Sequence, residues 1–127
     1  MSTLLWVMAG GAIGTGLRYG VGTLLPSRSG EFPTATLLVN LLGCLLIGFV
    51  ATWLNGNSDA KPMIRLAIVV GCLGGFTTFS SFAFETLSLF QSGRWASAIL
   101  YVGLSNILGI VFAGTGWWLA TISVTKY

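Results

Sequence analysis

The sequence predicts an all-α integral membrane protein, on three observations. Of its 127 residues, 54% are hydrophobic and 7% charged, where soluble domains run nearer a quarter charged. The apolar residues gather into four stretches, each of the length, about 20 residues, that carries a helix across the hydrocarbon. The third stretch is interrupted by the segment from Gly71 to Glu85, GCLGGFTTFSSFAFE, with three glycines, two threonines, two serines and a glutamate. Backbone that leaves the helix at membrane depth must be covered by protein or line a polar cavity. Polar residues crowded there mark a pathway or a site. The expected fold is four transmembrane helices per subunit, the third broken in its middle, in one domain over residues 1–127.

The first span runs from Thr3 to Leu25, is rich in glycine and contains Arg18. No basic stretch precedes it and no cleavage pattern follows, so it reads as a retained helix and not a signal peptide. Residues 26–33, PSRSGEFP, form a turn-rich loop. The second span covers Thr34 to Leu54. Residues 55–62, NGNSDAKP, supply turn and capping residues. The third span covers Met63 to Phe90. A tight turn, QSGR, leads into the fourth span, Trp95 to Ile122. Trp53, Trp95, Trp117, Trp118 and Tyr127 fall near span ends, where interfacial aromatics belong. Gly10 and Gly14, Gly16 and Gly20, and Gly71 and Gly75 stand four apart. Each pair shares a helix face and lets a neighbour approach closely.

Several function classes are excluded early. The net charge of +3 is small and scattered, so no nucleic-acid partner is expected; the partner is the lipid bilayer. There is no histidine, and the acids are Glu31, Asp59 and Glu85. That removes most metal sites and most acid–base catalysis, and the chain is not expected to be an enzyme. Cys44 and Cys72 lie within spans and outside any CxxC pattern, as small apolar packers do.

The remaining polar residues trace a track. Asn40 and Thr36 are one helical turn apart on one face of the second span. An amide in a span is costly unless hydrogen-bonded; it serves either an interhelical bond or a passing anion. Tyr101, Ser105 and Asn106 add donors on the fourth span. Arg18 either snorkels to the interface or sets a positive charge near a vestibule. Phe79 and Phe82, three apart, share a face. They are core or lipid contacts, or rings presenting their positive edge to an anion beside Ser80 and Ser81. Where Gly74 to Thr77 leaves helical geometry, freed carbonyls suit a sodium ion; the plainer alternative is a kink. Glu85, the only acid in a span, is either a hydrogen-bonded neutral acid or a proton or cation site. These residues imply a path for a small ion, best an anion, in subunits that share a pore or build pores at their contact.

The run GGFTTFSSF with Glu85, preceded by Val39-Asn40 and by Arg18-Tyr19, closely resembles the Fluc (CrcB) fluoride channels of bacteria. The resemblance covers the whole chain in length, span number and motif order. It implies a passive, fluoride-selective channel of the bacterial inner (plasma) membrane that lets fluoride leave the cytoplasm. It also implies an antiparallel dual-topology homodimer with two pores. Asn40 corresponds to the pore asparagine, and Phe79 and Phe82 to the pair of pore phenylalanines that meet fluoride edge-on. The carbonyls of Gly74 and Thr77, two from each subunit, correspond to those holding a central structural sodium ion. Thr36, Tyr101 and Ser105 match polar pore-lining positions, and Arg18 the basic residue near the vestibule. Glu85 matches a recurrent acid of open role. The family motif often reads TTFSTF; Ser81 replaces the second threonine and keeps a hydroxyl beside Ser80 in the pore.

The lysine and arginine bias that orients membrane proteins is weak here. Lys61, Arg65 and Lys126 fall on one side of a four-span chain, and Arg28 and Arg94 on the other, with Arg18 toward that end. A small multidrug exporter is similar in size and span number, but it needs an acid in the first span, where this chain has only Arg18. A structural subunit without transport is the other alternative.

Overall fold

A computed structural model describes residues 2–28, 30–56 and 61–124. The centre of the second loop with Asp59, and the C-terminal Lys126 and Tyr127, lie outside the described residues. Helix α1 spans Ser2–Leu24 and stops before Pro26, because the residue preceding a proline disfavours helical geometry. Helix α2 spans Thr34–Gly56 and begins just after Pro33. Helix α3 is composite: an α-helical turn, Pro62–Leu66, a π-helical stretch, Ala67–Leu73, and a last turn, Gly74–Phe76. Pro62 sits at its start, where its missing N–H costs nothing.

Thr77 and Thr78 then leave the helix in extended geometry, with φ/ψ of −80°/156° and −149°/115°. Helix α4, Phe79–Gln91, restarts from Thr78, whose hydroxyl accepts from the Ser81 N–H. Capping of this kind satisfies an amide that the first turn leaves unpaired. Gly93, at a φ of 72°, makes the turn into α5, Trp95–Val124. The break in the third span is therefore present, and the span ends agree with the sequence expectation to within two residues. No strand occurs among the described residues.

Glycines hold the pairs of helices together. A methyl group on Gly10 would strike the Ala67 carbonyl, and one on Gly14 the Cys72 carbonyl. Gly71 and Gly75 press in the same way on the Val7 and Gly11 carbonyls of α1. So two of the three spaced glycine pairs form one α1–α3 contact, backbone on backbone. On the other side, α2 meets α5 through Gly48 against Ala113 and Gly116 against Leu45. The third pair, Gly16 and Gly20, faces open space within the chain.

A small core of Leu89, Ala98 and Tyr101 joins α4 to α5, with Phe32, Leu37, Phe82 and Phe90 packed around it. Elsewhere large apolar side chains such as Ile13, Ile99 and Ile110 lie exposed, as a lipid-facing surface requires. Three segments, Thr34–Gly56, Pro62–Gln91 and Trp95–Val124, are long and apolar enough to cross a membrane. Helix α1 is equally long, but its glycines and Arg18 dilute its hydropathy, so length and composition alone mark three crossings where the sequence reading expected four.

Candidate functional site

The site is built around the break between α3 and α4. In a continuous helix the Thr78 N–H would bond to the Gly74 carbonyl. Here it donates to Asn40 Oδ1 at 2.8 Å, and Asn40 Nδ2 donates back to the Thr78 carbonyl at 3.0 Å. The Asn40 amide thus clamps the extended residue from α2 and satisfies both its backbone groups, as buried backbone demands. Of the two uses open to this amide, the interhelical bond is made; the second N–H of its NH2 group carries no bond among the described residues.

The neighbouring carbonyls are divided up. That of Gly75 accepts from Arg18 Nε at 3.2 Å and from the Thr15 hydroxyl at 3.5 Å. That of Leu73 takes both the N–H and the hydroxyl of Thr77, each at 3.1 Å. The Ser81 N–H, which would have served Thr77, goes to Thr78 Oγ1 at 3.2 Å. The Thr77 carbonyl is left without a hydrogen bond among the described residues, and the Gly74 carbonyl loses the Thr78 amide to Asn40. These two oxygens, three residues apart, form a cation-compatible donor set, since hard cations take neutral oxygen ligands. No cluster of three histidine, cysteine or acidic residues occurs among the described residues.

A cavity of about 330 Å³ opens beside the break, lined by Asn40, Thr77, Phe79, Phe82, Ser105 and Asn106 among others. The Ser105 hydroxyl is buried and has no hydrogen-bond partner among the described residues. The Asn106 amide donates to the Val102 carbonyl of its own helix at 2.8 Å. The Phe79 and Phe82 rings lie 5.5 Å apart, tilted by 44°. Phe82 also packs on Tyr101 at 5.2 Å, whereas Phe79 is 79% exposed. The cavity lining contains no carboxylate.

A second cavity, of about 390 Å³, lies across the break, with Arg18, Thr15, Tyr19, Thr36 and Ser81 in its wall. Thr78 lines both cavities and so separates them. Arg18 is therefore half-buried and tied to the broken segment, more than a snorkelling side chain would be. Ser81 sits on this second side; its hydroxyl accepts from Thr78 Oγ1 at 3.1 Å, and Ser80 Oγ lies 3.3 Å from the same Thr78 oxygen.

Thr36 and Tyr101 meet at Glu85. The Thr36 hydroxyl donates to Glu85 Oε1 at 2.7 Å and the Tyr101 hydroxyl to Glu85 Oε2 at 2.8 Å. Both protons are committed to the acid, and Tyr101 is fully buried, so neither hydroxyl is an open donor beside Asn40. Glu85 also borders a loop-side cavity of about 240 Å³ with Ser27, Arg28, Glu31 and Ser88. The residues named from sequence thus divide: Asn40, Phe79, Phe82 and Ser105 share one cavity, Arg18, Thr36 and Ser81 another, and Glu85 links Thr36 to Tyr101. Sequence reasoning missed two positions, Thr78 as the wall between cavities and Thr15 as a second donor to Gly75. The one readable signal was a threonine placed three residues before Ser81, a capping spacing.

The model of the family described as "CrcB-like protein, Camphor Resistance (CrcB)" matches residues 5–117. The chain belongs to the CrcB-like family. The match encloses every residue of the site. A relative from Helicobacter pylori is 44% identical over 123 residues, covering 91% of each chain. One from Acidobacterium capsulatum is 45% identical over 113 residues, covering 88% of this chain and 90% of its own. A third, from Chloroflexus aurantiacus, is 42% identical over 123 residues, covering 93% and 98%. Each of these CrcB-like relatives bears the name fluoride-specific ion channel FluC, a channel and not an enzyme.

Proposed function

We propose that this chain is the subunit of a passive, fluoride-selective channel that lets fluoride leave the bacterial cytoplasm across the plasma membrane and so lowers its toxicity. The observation that carries the reading is the unpartnered Ser105 hydroxyl in a cavity that also holds the Asn40 amide and the Phe79–Phe82 pair. A small anion leaving water must regain its donors. The Ser105 O–H and the second Asn40 N–H are uncommitted donors, and ring edges carry partial positive charge. No carboxylate in the lining repels the ion. Arg18, in the cavity across Thr78, raises the local anion concentration at what would be the vestibule. The hydroxyls of Thr36, Tyr101, Ser80 and Ser81 stand behind these donors along the path, with Glu85 holding two of them.

The reading includes α1 as a fourth crossing, because its glycine contact with α3 lays the two helices side by side at one depth. It includes an antiparallel homodimer with two pores. The 79% exposure of Phe79 and the open Gly16 and Gly20 face favour a partner that completes the walls. A sodium ion on the dimer axis fits the Thr77 carbonyl and the Gly74 carbonyl that Asn40 relieves of the Thr78 amide, contributed by both subunits. When bound it would supply a fixed positive charge between the pores. Fluoride-loaded proteoliposomes test the reading against a proton-coupled exporter. Fluoride should leave down its own gradient with no proton gradient imposed; efflux that requires a proton gradient would overturn it.

A further inference from the structure

We infer that Asn40 is also a positioning residue for the sodium site, because it takes from Gly74 the one amide that would otherwise close that site. The inference rests on the sodium reading above and deepens it. In an unbroken helix the Thr78 N–H belongs to the Gly74 carbonyl. In this chain it points instead to Asn40 Oδ1 at 2.8 Å, and the Thr78 carbonyl is held in the extended position by Asn40 Nδ2 at 3.0 Å. Asn40 is half-buried on α2, and Thr78 is buried. Water is therefore a poor substitute for the clamp. Without it, the nearest acceptor for the Thr78 amide is the carbonyl it left, one turn back. A buried amide left unpaired costs more than a re-formed helical bond, so the last turn of α3 would extend and recapture Gly74.

The neighbouring bonds narrow the effect to this carbonyl. Gly75 is held by Arg18 and Thr15 whatever Asn40 does. Thr77 is freed by a different contact, Ser81 N–H to Thr78 Oγ1. Only Gly74 depends on the α2 amide. The same side chain thus has two separable parts. Its NH2 group faces the Thr78 carbonyl and, in the proposed pore, an anion. Its carbonyl oxygen keeps a sodium ligand open.

The two parts can be separated by substitution. Asn40→Asp keeps an acceptor for the Thr78 N–H and removes the donor; Asn40→Leu removes both. The measurement is equilibrium binding of radiolabelled sodium to the purified dimer in detergent, with fluoride flux recorded on the same preparations. Asn40→Asp should bind sodium at least as tightly as the wild type while losing flux. Asn40→Leu should bind sodium on the order of tenfold more weakly, the cost of breaking one recaptured hydrogen bond per subunit. Should the leucine variant fail to assemble, Asn40→Ser, too short to reach Thr78, gives the same comparison. Wild-type sodium affinity in Asn40→Leu or Asn40→Ser, or equal losses in Asn40→Asp and Asn40→Leu, would overturn the inference and leave the channel reading standing. A wild-type dimer that binds no sodium would overturn both the inference and the sodium reading, while its fluoride flux is judged separately.

Discussion

Replacing Asn40 by aspartate tests the pore assignment with a change of one atom type. The side chain keeps its size and its acceptor toward the Thr78 N–H. It loses the donor that now reaches the Thr78 carbonyl and the second N–H, which makes no hydrogen bond among the described residues. Losing a hydrogen bond to a charged partner removes about 2 kcal/mol. The new carboxylate also repels an anion. A cavity of about 330 Å³, treated as a sphere, keeps an ion within roughly 4 Å of its wall, where like charges cost about 4 kcal/mol at an effective dielectric near 20. Together these add about 6 kcal/mol, and each 1.4 kcal/mol is about tenfold in rate. Flux should therefore fall on the order of ten-thousandfold. The assay is fluoride efflux from proteoliposomes read by a fluoride electrode, with size-exclusion chromatography to show an intact dimer. Wild-type efflux from an assembled Asn40→Asp channel would refute the role of the amide.

Three further outcomes follow from the same geometry. Phe79→Ile and Phe82→Ile keep apolar bulk but remove the ring edges, and each should lose most fluoride flux in the same assay; two isoleucine variants that conduct like wild type would reduce the rings to packing. Gly14→Ala forces a methyl into the Cys72 carbonyl and should destabilise the fold by about 1–3 kcal/mol in thermal unfolding in detergent, whereas Gly103→Ala, which meets nothing, should not. Adding two or three lysines to one loop should drive a single orientation and abolish flux, with activity restored by co-expressing an oppositely biased copy; full flux from the uniform population would contradict the antiparallel dimer.

Much of the fold was readable because it depends on local chemistry. Pro26, Pro33, Pro62 and Gly93 end or start helices by fixing or freeing φ, and the span ends followed. The break followed from glycines and hydroxyls that compete with the helical ladder. The π-helical stretch Ala67–Leu73 was not readable, since nothing in its apolar run AIVVGCL differs from an ordinary helix. Its wide turns lie where Gly10 and Gly14 bring α1 against the backbone, a tertiary cause. The same limit applied to the site. Residue types marked Asn40, Thr36, Tyr101 and Glu85 as polar in apolar spans, but not their pairing. Glu85 draws Thr36 from 49 residues away and Tyr101 from 16, so a track of apparent donors became a closed cluster. Asn40 likewise met a backbone 38 residues on. Among the described residues the buried Ser105 hydroxyl makes no hydrogen bond, and that follows from which neighbours it lacks.

The most direct test of the central claim is anion selectivity in purified protein. Proteoliposomes loaded with equal fluoride and chloride, with the membrane potential clamped by a potassium ionophore, report the two effluxes side by side. The account predicts rapid fluoride efflux with chloride retained, in the absence of any other protein or energy source. Chloride leaving as fast as fluoride, or neither ion leaving from vesicles that hold the intact dimer, would contradict it.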